Sequence, residues 1–140
     1  MEPINEKRVV LGGLLAGLVI NLIQGVQGFV TMADWRVALQ SKGLPVAANP
    51  LTMVLYLVLG FLIGVVAVWL YAAVRPRLGP GPATAVKVAV AVWLLWYLPA
   101  TAGYASFGIF PARLLIITAV GGLVNIVAAT LAGAWLYREP

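Results

Sequence analysis

The stretch VVLGGLLAGLVINLIQGVQGFVTMA, Val9–Ala33, runs for 25 residues without a charge, closed by Arg8 on one side and Asp34 on the other. Wound as a helix it is about 37 Å long, and a hydrocarbon core about 30 Å thick takes about 20 apolar residues to cross. It reads as a membrane span. Three more uncharged runs follow: Gly43–Val74 (32 residues), Val88–Ala112 (25) and Leu114–Tyr137 (24). Of the 140 residues, 63% are hydrophobic and 9% charged, and the mean hydropathy is +1.03; soluble domains have roughly half and a quarter. A soluble globule is excluded. The expectation is an all-α membrane protein, a four-transmembrane antiparallel helix bundle forming one domain over residues 1–140.

Lys7 and Arg8 ahead of an apolar run, with Thr31-Met32-Ala33 after it, imitate a secretory signal. The run is about twice the usual 7–15 residues of a signal core, so it is read as a retained span. The spans are expected at 9–31, 51–74, 84–107 and 111–137, with Pro99 kinking the third. Pro50 and Pro111 sit where a first-turn proline is tolerated. The cluster Arg75-Pro76-Arg77-Leu78-Gly79-Pro80-Gly81-Pro82 is expected to end the second span before the third begins. Between the first two spans, Asp34 reads as the cap of a short interfacial helix over residues 34–42, presenting Trp35, Val37, Ala38 and Leu39 and stopped by Gly43 and Pro45.

Absent residue types exclude whole chemistries. With no Cys and no His there is no disulfide framework, Cys/His zinc site, haem-ligating His or thiol nucleophile, and no Ser-His pair. No metal and no cofactor is expected. The four carboxylates, Glu2, Glu6, Asp34 and Glu139, all lie outside the middles of the runs, which argues against a proton-coupled transporter. Tyrosines and basic flanks are poor acid–base material at neutral pH, so an intramembrane enzyme ranks behind a binding module.

The basic residues set an orientation. Lys7, Arg8, Arg75, Arg77, Lys87 and Arg138 fall on one side, and Arg36, Lys42 and Arg113 on the other. The positive-inside rule then places both termini and the proline–glycine loop in the cytoplasm. The basic excess flanks spans, which points to anionic lipid headgroups as partners and away from nucleic acid. Trp35, Trp69, Trp135, Tyr71 and Tyr137 fall near span ends, as an aromatic belt requires.

Small residues mark helix contacts. Gly13, Gly17, Asn21 and Gly25 recur every four residues in the first span, as do Gly121, Asn125, Ala129 and Gly133 in the fourth, while Gly60 and Gly64 form a pair in the second. Spacing of four puts each row on one face, a shallow groove where another backbone comes close. The first and fourth spans are expected to pack through their rows, and the Gly60/Gly64 face is the first candidate for a homo-oligomer contact.

Asn21 and Asn125 sit near mid-depth, and an unsatisfied amide there costs several kcal/mol. The simplest arrangement has them bonded to each other, fixing the register of the first and fourth spans. Gln24 and Gln27 lie about 60° and 120° around the helix from Asn21, so the polar arc widens toward the outer end. Opposite it the third span offers Trp93, Trp96, Tyr97 and Tyr104. Amides, aromatic faces and a phenol suit a lipid-like or small amphiphilic molecule in a cleft of the first, third and fourth spans. A second candidate is the loop, where Arg75 and Arg77 flank Pro76 and the N–H groups of Gly79–Gly81 stand ready for a headgroup or phosphate.

Two segments carry a resemblance. Trp69-Leu70-Tyr71-Ala72-Ala73-Val74-Arg75-Pro76-Arg77-Leu78-Gly79-Pro80-Gly81-Pro82 and Gly133-Ala134-Trp135-Leu136-Tyr137-Arg138-Glu139 resemble parts of a family of short four-span bacterial membrane proteins. The resemblance covers 21 residues and implies a multi-pass protein of the bacterial inner membrane, with no activity and no functional residues attached. A four-span eicosanoid and glutathione enzyme family has a similar length, but its in-membrane Glu and Arg pattern is missing here. Two functions therefore stand: binding or transport of an amphiphile, or a structural or accessory membrane subunit without a ligand.

Overall fold

The computed structural model describes residues 4–45 and 49–137; Glu2, Arg138 and Glu139 lie outside the described residues. Five helices follow in order: α1 Glu6–Gln40, α2 Pro50–Leu78, α3 Pro82–Leu95, α4 Tyr97–Ser106 and α5 Ala112–Leu136. Together α3 and α4 make one rod of span length, so four helices are long and apolar enough to cross a membrane. The protein is a multi-pass helix bundle, as its uncharged runs predict. Asn5 and Asn49 start α1 and α2, their side-chain oxygens accepting from the backbone N–H of Arg8 and Leu51.

Residues 34–42 do not form the separate surface helix expected of them. α1 continues unbroken to Gln40, 35 residues or about 52 Å. No proline or glycine interrupts 29–42, and an α-helix with satisfied backbone groups passes from hydrocarbon into headgroups without penalty. Asp34 caps nothing; it pairs with Arg113 at the start of α5. Trp35 packs edge-on against Tyr104 of α4 and Phe110 of the α4–α5 turn, with ring centroids 5.4 and 4.9 Å away. Those two contacts hold the last turns of α1 upright. The helix then closes at Gly43, φ +67°, with the Leu44 N–H bonded to the Leu39 carbonyl at 3.0 Å, the glycine stop that the sequence carries.

Proline acts differently in the other two spans. Pro99 has no N–H for the Leu95 carbonyl and its ring crowds that group, so the third span breaks at Trp96 (φ −116°, ψ −64°), one turn ahead of the proline. Pro76 is absorbed: α2 runs past it to Leu78, four residues beyond the expected boundary. The α2–α3 turn shrinks to Gly79–Gly81, with φ of +83° and +122° at the two glycines. Thr84 clamps it, its hydroxyl donating to the Leu78 and Gly79 carbonyls at 3.2 and 2.7 Å.

α1 is the central helix, packed antiparallel against α2 on one face and α5 on another. The row Gly13, Gly17, Asn21 faces α2, not the fourth span. A Cβ on Gly13 would lie 2.5 Å from Val65 Cα, and one on Gly17 2.6 Å from Phe61 Cα. Gly64 fits against the α1 backbone, 2.5 Å from Gly13 O by the same measure, so the Gly60/Gly64 face is closed within the chain and is not an outward oligomer surface. The α5 row meets α1 one residue earlier in the sequence: a Cβ on Gly12 would sit 2.7 Å from Gly133 O. Gly25 has nothing within 4 Å and packs no helix.

Candidate functional site

The mid-depth amides meet backbone rather than each other. Asn21 Nδ2 donates to the Leu57 carbonyl of α2 at 3.1 Å and to Gly17 O of its own helix at 2.9 Å. Its Oδ1 rests on Gly60, where a Cβ would approach to 2.5 Å. Asn125, fully buried, donates across to the Ile20 carbonyl at 3.3 Å. The expected Asn21–Asn125 pair is therefore corrected: each amide pins α1 to a different neighbour. A helix carbonyl is always present at depth and accepts a second bond, so an amide needs no polar side chain opposite it. Asn125 Oδ1 and Thr130 Oγ1 are buried without a hydrogen-bond partner among the described residues.

Gln24 donates to the Tyr97 hydroxyl at 3.3 Å, so the two side chains expected to line an open cleft bond each other. The Tyr97 ring lies on Gly122, in the space that a Cβ there would need. Gln27 fills the notch at Gly121, and Trp93 donates its indole N–H to the Ala119 carbonyl of α5 at 2.8 Å. Trp96 is half exposed on the bundle surface, and Tyr104 belongs to the cluster around Trp35. These side chains close helix against helix. Gln24→Leu is expected to lower stability by about 0.6–1.7 kcal/mol, Tyr97→Phe by a similar amount, and the double variant by little more than either. Additive losses in a thermal melt of the three variants would show that the two groups act separately.

A hollow lies at the other end, where α1 begins and α5 finishes. A groove of about 490 Å³ is lined by Tyr71 and Arg75 of α2, the strap Pro80–Pro82, Ala85 of α3, and Leu131, Ala134, Trp135 and Tyr137 from α5 and its cap. Tyr71 and Tyr137 stand edge to face, 6.2 Å between centroids, and the Arg75 guanidinium lies 6.0 Å over the Tyr137 ring. Asn5 N–H reaches the Tyr137 hydroxyl at 3.4 Å, tying the start of α1 to the end of α5. Of the five aromatics expected in a belt, Tyr71 and Tyr137 are buried, Trp35 packs against Tyr104 and Phe110, and Trp69 and Trp135 are exposed.

The strap glycines do not offer the N–H groups expected of them. Gly79 N–H bonds the Arg75 carbonyl at 2.9 Å, Gly81 N–H bonds the Tyr71 hydroxyl at 3.0 Å, and Pro80 has none to offer. Arg75 lines the groove, but Arg77 is exposed and does not. Gly12 and Gly122 escape a search for rows of four. Their signal is the doublets Gly12-Gly13 and Gly121-Gly122: adjacent residues point about 100° apart, so a doublet serves two neighbours. Comparison with protein-family models, curated proteins and solved structures finds no match.

Proposed function

We propose that this membrane protein binds a lipid-like or small amphiphilic molecule, and that it does so in the groove between α2, α3 and α5. One observation carries the reading: a hollow of about 490 Å³ joins apolar walls, Ala85, Leu131 and Ala134, to the guanidinium of Arg75 and the phenol of Tyr71. Small-molecule sites are concave and mostly apolar with a few placed polar groups, within about 300–1,000 Å³. The cleft inferred from Gln24, Trp93 and Tyr97 loses its support, because those groups already bond one another or a neighbouring helix.

Among the described residues, Lys7, Arg8, Arg75, Arg77 and Lys87 all belong to the groove end. We read this end as cytoplasmic and the membrane as the bacterial inner membrane, in line with the family resemblance. The chain has no Cys, so a single cysteine at exposed Leu78 should be labelled only from the cytoplasmic side; labelling of intact cells from outside would reverse the orientation.

Binding is tested by filling the groove. Wild type should retain a lipid-sized molecule through detergent exchange, seen by mass spectrometry, and Ala134→Phe should lose it. Pro80→Trp on the exposed strap should do the same without touching the core. Equal retention in all three would overturn the site. The second reading, a structural or accessory subunit, is favoured by Asn21, Gln24 and Asn125 serving helix contacts; it is the conclusion if wild type retains nothing.

A further inference from the structure

We propose that the seam between α1 and α5, at the end of the bundle away from the groove, is a hydrated half-channel. A file of water molecules runs along it from the Asp34–Arg113 pair to Asn125 at mid-depth. The spacing of the seam residues, their register across the two helices and their unpaired hydrogen-bonding groups carry this assignment.

Gln24, Gln27, Thr31 and Asp34 follow one another in α1 at steps of three, four and three. Alternating threes and fours keep side chains on one helix face. Toward the other end the same face continues as Ile20 and Ala16, both fully buried. The face is therefore apolar on one side of mid-depth and polar on the other. Hydrocarbon offers a polar side chain no partner, so such a stripe is stable where protein or water bonds it.

The register is read from four contacts. Asn125 donates to the Ile20 carbonyl. One turn further along α1, Gln24 donates to the Tyr97 hydroxyl, whose ring covers Gly122. Gln27 then sits at Gly121, and Asp34 pairs with Arg113. From Ile20 to Asp34 this seam is about 21 Å long at 1.5 Å per residue. Steps of four and three residues are about 6 and 4.5 Å, close to the roughly 5.5 Å that two hydrogen bonds through one water span.

Protein groups bond only part of this stripe. Asn125 Oδ1, in a fully buried residue, accepts from nothing among the described residues. The Tyr97 oxygen accepts from Gln24, and its own proton has no acceptor among them. The Gln27 amide bonds nothing among them. The Thr31 hydroxyl donates to the Gln27 carbonyl at 2.8 Å and keeps its lone pairs for a donor. A buried water makes about three bonds to groups of this kind; one between the two rungs accepts from the Tyr97 hydroxyl and donates to Asn125 Oδ1. Asn21 is the dry counterpart. It stands beside Ile20 on the face toward α2, with its amide donating to the Gly17 and Leu57 carbonyls.

The test is water-edited solid-state NMR on the full-length, isotope-labelled protein in phosphatidylcholine bilayers, reading transfer from water protons to side-chain amides. Gln27, Gln24 and Asn125 should all receive magnetisation, at least tenfold faster than Asn21 at the same depth as Asn125. Gln24→Leu, which places an apolar plug between the rungs, should cut transfer to Asn125 at least tenfold and leave Gln27 unchanged. Transfer to Gln27 alone in the wild type would confine water to the surface end and overturn the half-channel. Equal transfer to Asn21 and Asn125 would show water throughout the bundle and overturn the seam as its path. Undiminished transfer to Asn125 in Gln24→Leu would bring water there by another route and overturn the file. No transfer to any of the four amides would overturn hydration altogether.

Discussion

Gly64→Ala is expected to destabilise the bundle by about 1–3 kcal/mol, the usual cost of forcing an extra carbon into a close-packed interior. The new Cβ would stand 2.5 Å from Gly13 O and 2.8 Å from Gly17 Cα. Both are main-chain atoms of α1, so nothing can rotate aside and the two helices must separate. Separation also pulls Asn21 away from the Leu57 carbonyl. Gly121→Ala is the informative contrast. Its neighbour is the far end of the Gln27 side chain, which can swing away, so the loss should be well under 1 kcal/mol despite the tighter overlap. Gly25→Ala, with open space around it, should be neutral or slightly stabilising. Thermal melts of the three variants in one detergent check the order, and a Gly64→Ala protein as stable as Gly25→Ala would refute the α1–α2 contact.

Asn125→Asp is expected to cost more than Asn125→Leu, against the intuition that the isosteric change is the milder one. The Asn125 amide donates to Ile20 O from a fully buried position. Aspartate replaces that donor with a second acceptor, and a charged Asp at the centre of a membrane helix costs about 2.5–3.5 kcal/mol on insertion scales. Leucine forfeits one interhelical bond, about 0.6–1.7 kcal/mol, and removes an oxygen that has no hydrogen-bond partner among the described residues. The aspartate variant should melt lowest or fail to purify folded. If leucine proved the more damaging, the Asn125–Ile20 bond would be worth far more than its geometry implies.

Glycine spacing shows how far a sequence can be read inside a membrane. The α5 row of Gly121, Asn125, Ala129 and Gly133 does face α1, as its spacing predicts. The α1 row Gly13, Gly17, Asn21 is equally regular, yet it faces α2, and the surface meeting α5 is the adjacent row Gly12, Ala16, Ile20, spaced by four as well but with a single glycine. A strip of small residues states that some backbone comes close and carries no address. Doublets carry more, because Gly12 and Gly13 can serve one neighbour each.

The solvent, the number of spans and the ends of most helices were determined by the sequence alone. Hydrocarbon tolerates neither charges nor unpaired backbone, and uncharged runs bounded by Arg8, Asp34, Arg75, Lys87 and Arg113 leave few alternatives. The uninterrupted passage of α1 through Asp34 was decided by tertiary structure, since Arg113 pairs with Asp34 and the aromatic neighbours of Trp35 hold the helix beyond it. So was the groove. Tyr71 and Arg75 lie more than fifty residues from Leu131, Ala134 and Tyr137, and a cavity is a property of the surfaces that fail to meet, which no single helix encodes.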